Sequence, residues 1–151
     1  MGPPQTEPIG LELTRTARIV SRAFDEALGS AGGSLPVWLV LLTLKIRHHS
    51  TQRALAAAVG IEGPTLTHHL NRLEANGLVA RTRDPANRRV QLVDLTDEGH
   101  ALFDRLRVAV VAFDQRLRAG MTPADLARLS TLLGRFRANV GADGSPKEMD
   151  A

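Results

Sequence analysis

The stretch from Thr51 to Thr96 constrains the fold of this 151-residue chain more than any other part of the sequence. It reads TQRALAAAVGIEGPTLTHHLNRLEANGLVARTRDPANRRVQLVDLT. Thr51 is a residue type that caps a helix N-terminus, and Gly60 is the type that ends a helix in a left-handed conformation. Pro64 suits the first position of a second helix, because its missing N–H needs no partner there. Gly77 ends that second helix. Two helices joined by a tight turn with glycine predict a helix-turn-helix.

The second helix has two chemically different faces. Leu66, Leu70 and Leu73 fall on one stripe at helical spacing, so they face a core. The opposite face has no acidic residue and carries Pro64, Thr65, His68, Asn71 and Arg72. Hydroxyl, imidazole, amide and guanidinium groups are the types that read base edges in a DNA major groove. A solvated helix face without a DNA partner would look similar, so this pattern favours DNA contact but does not require it.

A hairpin rich in arginine follows the second helix. Two predicted strands, Leu78–Arg83 and Val90–Leu95, flank the turn DPANRR, whose Asp, Pro and Asn are typical turn residues. Four arginines lie on or beside this turn, namely Arg81, Arg83, Arg88 and Arg89. A hairpin that projects arginines beside a helix-turn-helix is a wing, which enters a minor groove or binds phosphates. The alternative is a solvated hairpin whose arginines only protect a sheet edge from aggregation.

These motifs together resemble the winged-helix core of the multiple-antibiotic-resistance regulator (MarR) family. The matching motifs are T-Q-x-x-L-A at Thr51–Ala56, T-[VL]-T-x-x-[LV]-x-R-L-E at Thr65–Glu74, G-L-[VI] at Gly77–Val79, D-P-x-[DN]-R-R at Asp84–Arg89 and L-T-x-x-G at Leu95–Gly99. The detailed match covers about a third of the chain. The resemblance implies a homodimeric DNA-binding transcription regulator, usually a repressor that a small phenolic or similar ligand releases from DNA.

The chain departs from the family pattern at two positions that bear on DNA recognition. The family often has Asp two residues before the wing-tip arginine, whereas this chain has Asn87 before Arg89. The family most commonly has Arg where this chain has His68, and histidine makes a shorter and weaker base contact than arginine. Both departures concern which operator sequence is read more than whether DNA is bound.

Positive charge is concentrated in the predicted winged helix. The formal net charge is only +3 at pH 7, but eight of the 19 basic residues and four of the 16 acidic residues lie between Lys45 and Leu95. A local excess of this kind is the electrostatic footprint expected of a nucleic-acid binder. The chain contains no cysteine, which excludes disulfides, thiolate metal sites and a cysteine nucleophile. Within the resembled family, this also excludes the branch that senses peroxide through cysteine.

The organisation predicted around this stretch is a single mainly α domain with a small β-hairpin wing, in which a winged helix-turn-helix is flanked by N- and C-terminal dimerisation helices. Helical spacing begins at Ile9, GSAGG interrupts it, and Ser34, Thr96 and Thr122 are candidate caps. We expect a disordered N-terminus over 1–8, a dimerisation helix over 9–33, the winged helix-turn-helix over 34–96, dimerisation helices over 97–140 and a disordered tail over 141–151. The flanking helices carry more apolar surface than one small domain covers, which favours a homodimer over a monomer.

Enzyme and metal functions find no support in the sequence. No H-E-x-x-H, glycine-rich phosphate loop or G-x-S-x-G motif occurs, so we expect no catalytic activity and no cofactor. Two pairs of adjacent histidines, at 48–49 and 68–69, are unsuited to metal binding because neighbours on a helix point in different directions. The longest apolar run, Leu35–Leu44, is too short to span a bilayer, and the N-terminus has no apolar signal region. We therefore expect a cytoplasmic, nucleoid-associated protein with no membrane partner.

The sequence thus predicts a homodimeric, sequence-specific regulator that represses transcription from a near-palindromic operator and leaves it when a small aromatic or phenolic effector binds. The predicted DNA contacts are Pro64, Thr65, Thr67, His68, Asn71, Arg72, Arg81, Arg83, Arg88 and Arg89. From the pocket position that the resemblance implies, Arg22, Trp38 and His48 are candidate effector contacts. Two alternatives stay open, a nucleoid-type architectural protein without an effector and a dimeric scaffold that has lost DNA binding. The operator, the target genes and the effector are not encoded in any motif.

Overall fold

The computed structural model describes residues 7–48 and 50–141, and these form six helices and three short strands. The elements are α1 Ile9–Ser30, α2 Leu35–Ile46, β1 Ser50–Thr51, α3 Gln52–Val59, α4 Gly63–Ala75, β2 Val79–Arg83, β3 Gln91–Leu95, α5 Asp97–Leu117 and α6 Pro123–Val140. The mainly α fold with a β-hairpin wing agrees with the prediction. Most of the predicted terminal disordered segments, and His49, lie outside the described residues.

Local capping chemistry sets the ends of the helix-turn-helix. The hydroxyl oxygen of Thr51 accepts a hydrogen bond from the backbone N–H of Ala54 at 3.1 Å, which caps α3 as predicted. Gly60 and Gly77, after α3 and α4, have φ of 72° and 71°, a left-handed conformation that favours glycine. Pro64 lies in the first turn of α4, while the residue at the cap position itself, Glu62, makes no side-chain cap hydrogen bond.

The wing is part of a three-stranded antiparallel sheet in the order β1-β3-β2. The hairpin pairs Val79 with Leu95 at its base and Arg83 with Gln91 near its tip. The sequence did not predict β1, whose Ser50 pairs with Val93 of β3. A strand of two residues is too short for an alternating pattern to appear in the sequence. Because β1 pairs with β3, the central strand β3 has a hydrogen-bonded neighbour on each side.

The core of the first compact unit, which ends at Phe113, is built around α2. Val40, Leu41 and Leu44 of this helix are fully buried, as its nearly continuous apolar sequence predicts. The α4 stripe of Leu66, Leu70 and Leu73, predicted to face inward, is also buried in this core. Burial of each leucine contributes about 1.5–3 kcal/mol relative to exposure, so this stripe fixes the rotational setting of α4.

Trp38, the only tryptophan, is a core residue. Its ring stacks on that of Phe103 with centroids 5.2 Å apart and planes 8° from parallel. The Phe103 ring also has the Lys45 ammonium 5.5 Å from its centroid, and the same ammonium donates to Nδ1 of His100 at 3.1 Å. These contacts join the end of α2 to the start of α5.

The start of α5 is in close contact with the turn between α4 and β2. The hydroxyl of Thr96 caps α5 by accepting from the backbone N–H of Gly99 at 3.1 Å and donates to the carbonyl of Gly77 at 2.5 Å. A Cβ added to Gly99 would lie 2.0 Å from the carbonyl oxygen of Leu78, so only glycine fits there. The glycine of the L-T-x-x-G motif is therefore required by a close approach of two backbones.

The second compact unit begins at Asp114 and contains the end of α5 together with α6. The predicted cap Thr122 forms a capping box with Asp125 at the start of α6, in which each side chain accepts from the other residue's backbone N–H. Gly120, with φ of 80°, precedes it. No residue of α6, which is described along its whole length, is buried.

No single helix in the described part of the chain is both long enough and apolar enough to cross a membrane. The helices α1 and α2 reach that length and composition only as a pair, which bends by 70° at the break between them. The described residues also contain no group of three or more His, Asp or Glu side chains that could hold a metal ion.

Candidate nucleic-acid interface

The outward side of α4 is an exposed polar surface. We call it the polar face of α4, and it consists of Pro64, Thr65, His68, Asn71 and Arg72, all exposed. The buried leucine stripe on the other side of the helix sets this orientation. The face therefore offers several types of hydrogen-bonding group, and no acid, to whatever lies against the helix.

Thr67, a further predicted DNA contact, does not belong to the polar face of α4. It is half-buried, and its hydroxyl oxygen accepts from Nε2 of Gln52 at 2.6 Å. The same hydroxyl donates to the carbonyl of Gly63 at 3.0 Å. The hydrogen bond from Gln52 thus joins α3 to α4, while the bond to Gly63 lies within α4 and orients the Thr67 hydroxyl.

Side chains of the wing tip, residues 84–90, hold the turn in one conformation. The backbone N–H of Asp84 donates to the carbonyl of Val90 at 3.0 Å, and that of Val90 donates to the carbonyl of Asn87 at 2.8 Å. The Asp84 carboxylate accepts from the backbone N–H of Ala86 at 2.8 Å, and the Asn87 side-chain oxygen accepts from that of Arg89 at 3.2 Å. Asx turns of this kind stabilise the backbone locally, so neutral Asn87 still supplies an acceptor next to the arginines.

The four predicted arginines of the wing divide into two kinds. Arg83, Arg88 and Arg89 are exposed, and among the described residues none of them forms an ion pair. Arg81 on β2 instead lies against α4, where its guanidinium pairs with the Glu74 carboxylate. Its side chain is only 17% exposed. Arg81 therefore contributes to the junction of wing and helix, whereas the other three present charge to solvent.

The Glu74 carboxylate is ionised in this arrangement. The hydrogen bond from Arg81 is the largest cause that holds the pKa of Glu74 below its ordinary value of 4.5, although partial desolvation acts in the opposite direction. Both partners are charged at neutral pH. The pair adds no net charge, so the free positive charge of the wing comes from Arg83, Arg88 and Arg89.

A groove between the start of α3 and the wing contains an arginine that the sequence motifs did not single out. This groove has a volume of about 500 Å³, and its lining residues are Thr51, Gln52, Arg53, Arg89, Val90 and Gln91. Arg53 lies in the first turn of α3 and is exposed. The available signal was an arginine two residues after a helix cap, in a helix-turn-helix whose first helix crosses the DNA backbone.

A second concavity lies behind α4. Its volume is about 270 Å³, and it is lined by Gly32, Gly33, Ser34, Val37, His69, Arg72, Leu73, Asn76, Leu78 and Leu102. Its lining combines four apolar side chains with four polar ones, so an occupant would meet both apolar surface and hydrogen-bonding groups. Arg72 belongs both to this lining and to the polar face of α4.

The three predicted effector contacts are placed in different settings. Arg22 is exposed on α1, where it pairs with Glu26 at 3.3 Å. It lines an open groove of α1 with Arg18, Ser21, Asp25 and Glu26, and neither Trp38 nor His48 belongs to that lining. Trp38 is stacked in the core, and His48 is exposed after α2. Their role as effector contacts stays a prediction.

An exposed polar helix presented by a helix-turn-helix, with an arginine-bearing hairpin beside it, defines a winged-helix DNA-binding protein. A model of the MarR family matches residues 34–90. The uncharacterized HTH-type transcriptional regulator YwoH of Bacillus subtilis is 30% identical over 125 residues, which cover 83% of this chain and 90% of that relative. The chain belongs to the MarR family of transcriptional regulators, and this family is one of regulators rather than enzymes.

Solved structures of similar proteins include one with DNA and one concerned with a small molecule. The transcriptional repressor CouR, bound to a 23-mer DNA duplex, is similar with a TM-score of 0.78 and 28% identity over 85% of this chain and 92% of that one. BpsR of Bordetella bronchiseptica, whose DNA binding is regulated by 6-hydroxynicotinic acid, is similar with a TM-score of 0.77 and 26% identity over 89% and 97% of the two chains.

Proposed function

We propose that this protein is a homodimeric repressor that binds a near-palindromic operator and is released by a small aromatic or phenolic ligand. The observation that carries the proposal is the placement of two exposed features in one compact unit. These are the polar face of α4 and the wing tip with its unpaired Arg88 and Arg89. A rod-like helix beside a cationic hairpin is complementary to a major groove and the minor groove next to it.

The side chains of this surface have distinct proposed roles. Pro64, Thr65, His68 and Arg72 approach base edges in the major groove, because they lie on the side of α4 opposite the buried leucines. Arg88 and Arg89 reach the minor groove or its phosphates, and Arg83, at the tip end of β2, supports them. Thr67 and Arg81 fix α4 in place, and Asn71 contacts DNA from the polar face. Arg53 and Arg89, on two sides of one groove, are suited to hold a DNA phosphate between them.

Exposed apolar side chains on the terminal helices support the dimer. In the first unit, Ile9, Ile19 and Val108 are 58%, 71% and 67% exposed. In the second unit, Leu129 of α6 is 45% exposed, and Met121, in the turn just before α6, is 47% exposed. Apolar surface of this extent is suited to burial against a second copy of the chain. A two-fold axis then sets the α4 helices about one DNA turn apart, so the half-sites lie roughly 10 bp between centres.

Release by an effector is supported by the concavity behind α4. Arg72 lines this space and also belongs to the polar face, so an anionic or hydrogen-bonding occupant would compete with DNA for the same guanidinium. Binding there, or at the predicted contacts Arg22, Trp38 and His48, would favour a spacing of the two α4 helices that misfits the groove. A ligand shifts the equilibrium only as far as it prefers this second state.

Capture of genomic DNA by the purified protein, followed by sequencing and footprinting, tests the proposal. We expect protection of a few near-palindromic sites with half-sites one helical turn apart. Uniform coverage would instead support an architectural protein, and the absence of a mobility shift at low salt would support a scaffold without DNA binding. Low salt is the stringent condition because phosphate contacts strengthen as salt falls.

A further inference from the structure

Three side chains connect α4 to the wing through one guanidinium. Nε and Nη2 of Arg81 donate to the same Glu74 carboxylate oxygen at 3.0 and 2.5 Å. Nη2 of Arg81 also donates to Oδ1 of Asn71 at 2.7 Å. Asn71 belongs to the exposed polar face of α4, whereas Arg81 is 17% exposed and Glu74 is 40% exposed at the flank. The network thus connects a largely covered guanidinium to Asn71 on the outer surface.

The pairing determines which end of the Asn71 amide faces outward. A carboxamide has an acceptor oxygen and a donor NH₂ group at opposite ends. Because Oδ1 is directed to Arg81, the NH₂ group is the end left to meet a partner. The bidentate contact that asparagine makes with adenine needs the oxygen to accept from N6 while the nitrogen donates to N7. With its oxygen held by a cation, Asn71 is suited to acceptors, which in the major groove are guanine O6 and N7, thymine O4 and adenine N7. Of these three bases only adenine places a donor, N6–H, beside its acceptor, and an Asn71 that only donates leaves that donor without a partner.

We propose that Glu74 and Arg81 are positioning residues that hold Asn71 as a hydrogen-bond donor, so that Asn71 selects guanine or thymine over adenine at one position of each half-site. This inference rests on the proposed function, because it requires that α4 read bases. Glu74 has a second effect in the same arrangement. Its carboxylate neutralises Arg81, which keeps that guanidinium on the helix flank instead of on a DNA phosphate.

The experiment is selection of binding sites from a random duplex library by the full-length protein and by single variants. Asn71→Ala identifies the position that Asn71 reads, because only there should base preference flatten. Arg81→Lys keeps the charge but replaces the planar fork with one ammonium, which cannot reproduce its paired geometry. Glu74→Gln keeps the side-chain shape and removes the charge that anchors Arg81. Matched controls are Arg118→Lys, in an exposed ion pair with Asp114, and Glu98→Gln in the first turn of α5.

We expect the wild-type motif to disfavour adenine at the Asn71 position, and both Arg81→Lys and Glu74→Gln to reduce that discrimination by about tenfold, the equivalent of one lost charge-assisted hydrogen bond. Glu74→Gln should also bind random DNA more tightly than the wild type, since an acid near the phosphates is removed and Arg81 is freed. A merely structural role of Glu74 would weaken binding to all sequences and would not increase affinity for random DNA. The two control variants should keep the wild-type motif.

Adenine at the Asn71 position, or an unchanged motif in Arg81→Lys and Glu74→Gln, would overturn the inference while leaving the repressor proposal intact. An Asn71→Ala variant whose motif equals that of the wild type would do the same, because Asn71 would then read no base. A wild-type protein that enriches no motif at all would overturn the proposed function and this inference together. Far-ultraviolet circular dichroism of each variant confirms folding, and if Arg81→Lys unfolds, the near-isosteric Glu74→Gln decides the outcome alone.

Discussion

The side-chain oxygen of Asn87 accepts a hydrogen bond from the backbone N–H of Arg89, 3.2 Å away, in the wing tip. Asn87→Ala removes this acceptor and frees the turn, so we expect operator binding to weaken by about 0.5–1.5 kcal/mol. Asn87→Asp keeps an acceptor at the same place and should bind more tightly than Asn87→Ala. Fluorescence anisotropy with a labelled operator measures both. Equal affinities for Asn87→Ala and the wild type would show that this turn is held without the side chain.

Arg89 and Arg53 line one groove, and their substitution separates base contact from phosphate contact. If Arg89 reads bases, Arg89→Ala should weaken operator binding by about 1–3 kcal/mol and leave binding to random DNA nearly unchanged. Arg53→Ala should weaken both kinds of binding equally and reduce the salt slope by about 1. Titrations with operator and with random DNA at several salt concentrations give the affinities and the salt slope. Equal losses for Arg89→Ala on the two DNAs would make Arg89 a phosphate contact.

Gly99→Ala tests the close approach of α5 to the preceding turn. A Cβ at this position would lie 2.0 Å from the carbonyl oxygen of Leu78, so backbone must move. We expect a loss of about 1–3 kcal/mol in the free energy of unfolding, as for other overpacked sites. Gly10→Ala in α1 is the matched control, because nothing lies within 4 Å of its added Cβ and alanine favours helix. Urea unfolding followed by circular dichroism compares the two, and a Gly99→Ala variant as stable as Gly10→Ala would contradict the prediction.

The ion pair between Glu74 and Arg81 predicts a pH dependence at the acidic end. Since the pKa of Glu74 is lowered by Arg81 in the folded protein, the pair stabilises the fold above the ordinary value of 4.5. That stabilisation is lost as the pH falls below 4.5 and through the lowered pKa. A carboxyl ¹³C NMR titration should place the Glu74 midpoint below 4.5, and Arg81→Ala should move it upward. If Arg81→Ala leaves the Glu74 midpoint unchanged, Arg81 is not the cause of the lowered pKa.

The proposed dimer depends on apolar side chains such as Ile19, which is 71% exposed on α1. Ile19→Glu places a charge where a partner chain should bury a methyl group, so we expect dissociation to monomers and loss of operator binding. Analytical ultracentrifugation measures the mass, and circular dichroism checks that the monomer is folded. Ile46→Glu, at a residue 69% exposed at the end of α2, is the control and should remain dimeric. A dimeric Ile19→Glu protein would place the interface elsewhere.

Features that depend on a few neighbouring residues could be predicted from the sequence. The caps Thr51 and Thr122 and the left-handed Gly60 follow from local chemistry, and the three leucines of α4 follow from helical periodicity. The DNA-binding class could be inferred because local motifs of known spacing recur in order along one stretch. The interpretation of Trp38 as a core residue also agrees with the structure.

Features that depend on contacts between elements could not be predicted. Strand β1 is only two residues long and is a strand only because it pairs with β3. Arg81 was grouped with the other wing arginines because its partner Glu74 lies seven residues earlier, across a turn whose geometry the sequence does not give. The shared groove of Arg53 and Arg89 likewise requires two segments far apart in the chain to meet.

The three-stranded sheet has a consequence for how proteins with this architecture can diversify. Apolar anchors at the base, Val79, Val93 and Leu95, are buried, while every residue of the wing tip is at least partly exposed. Changes of length or composition at the tip therefore leave the register of the hairpin intact. The DNA contacts of the wing tip can thus differ between relatives while the buried base of the sheet keeps the protein folded.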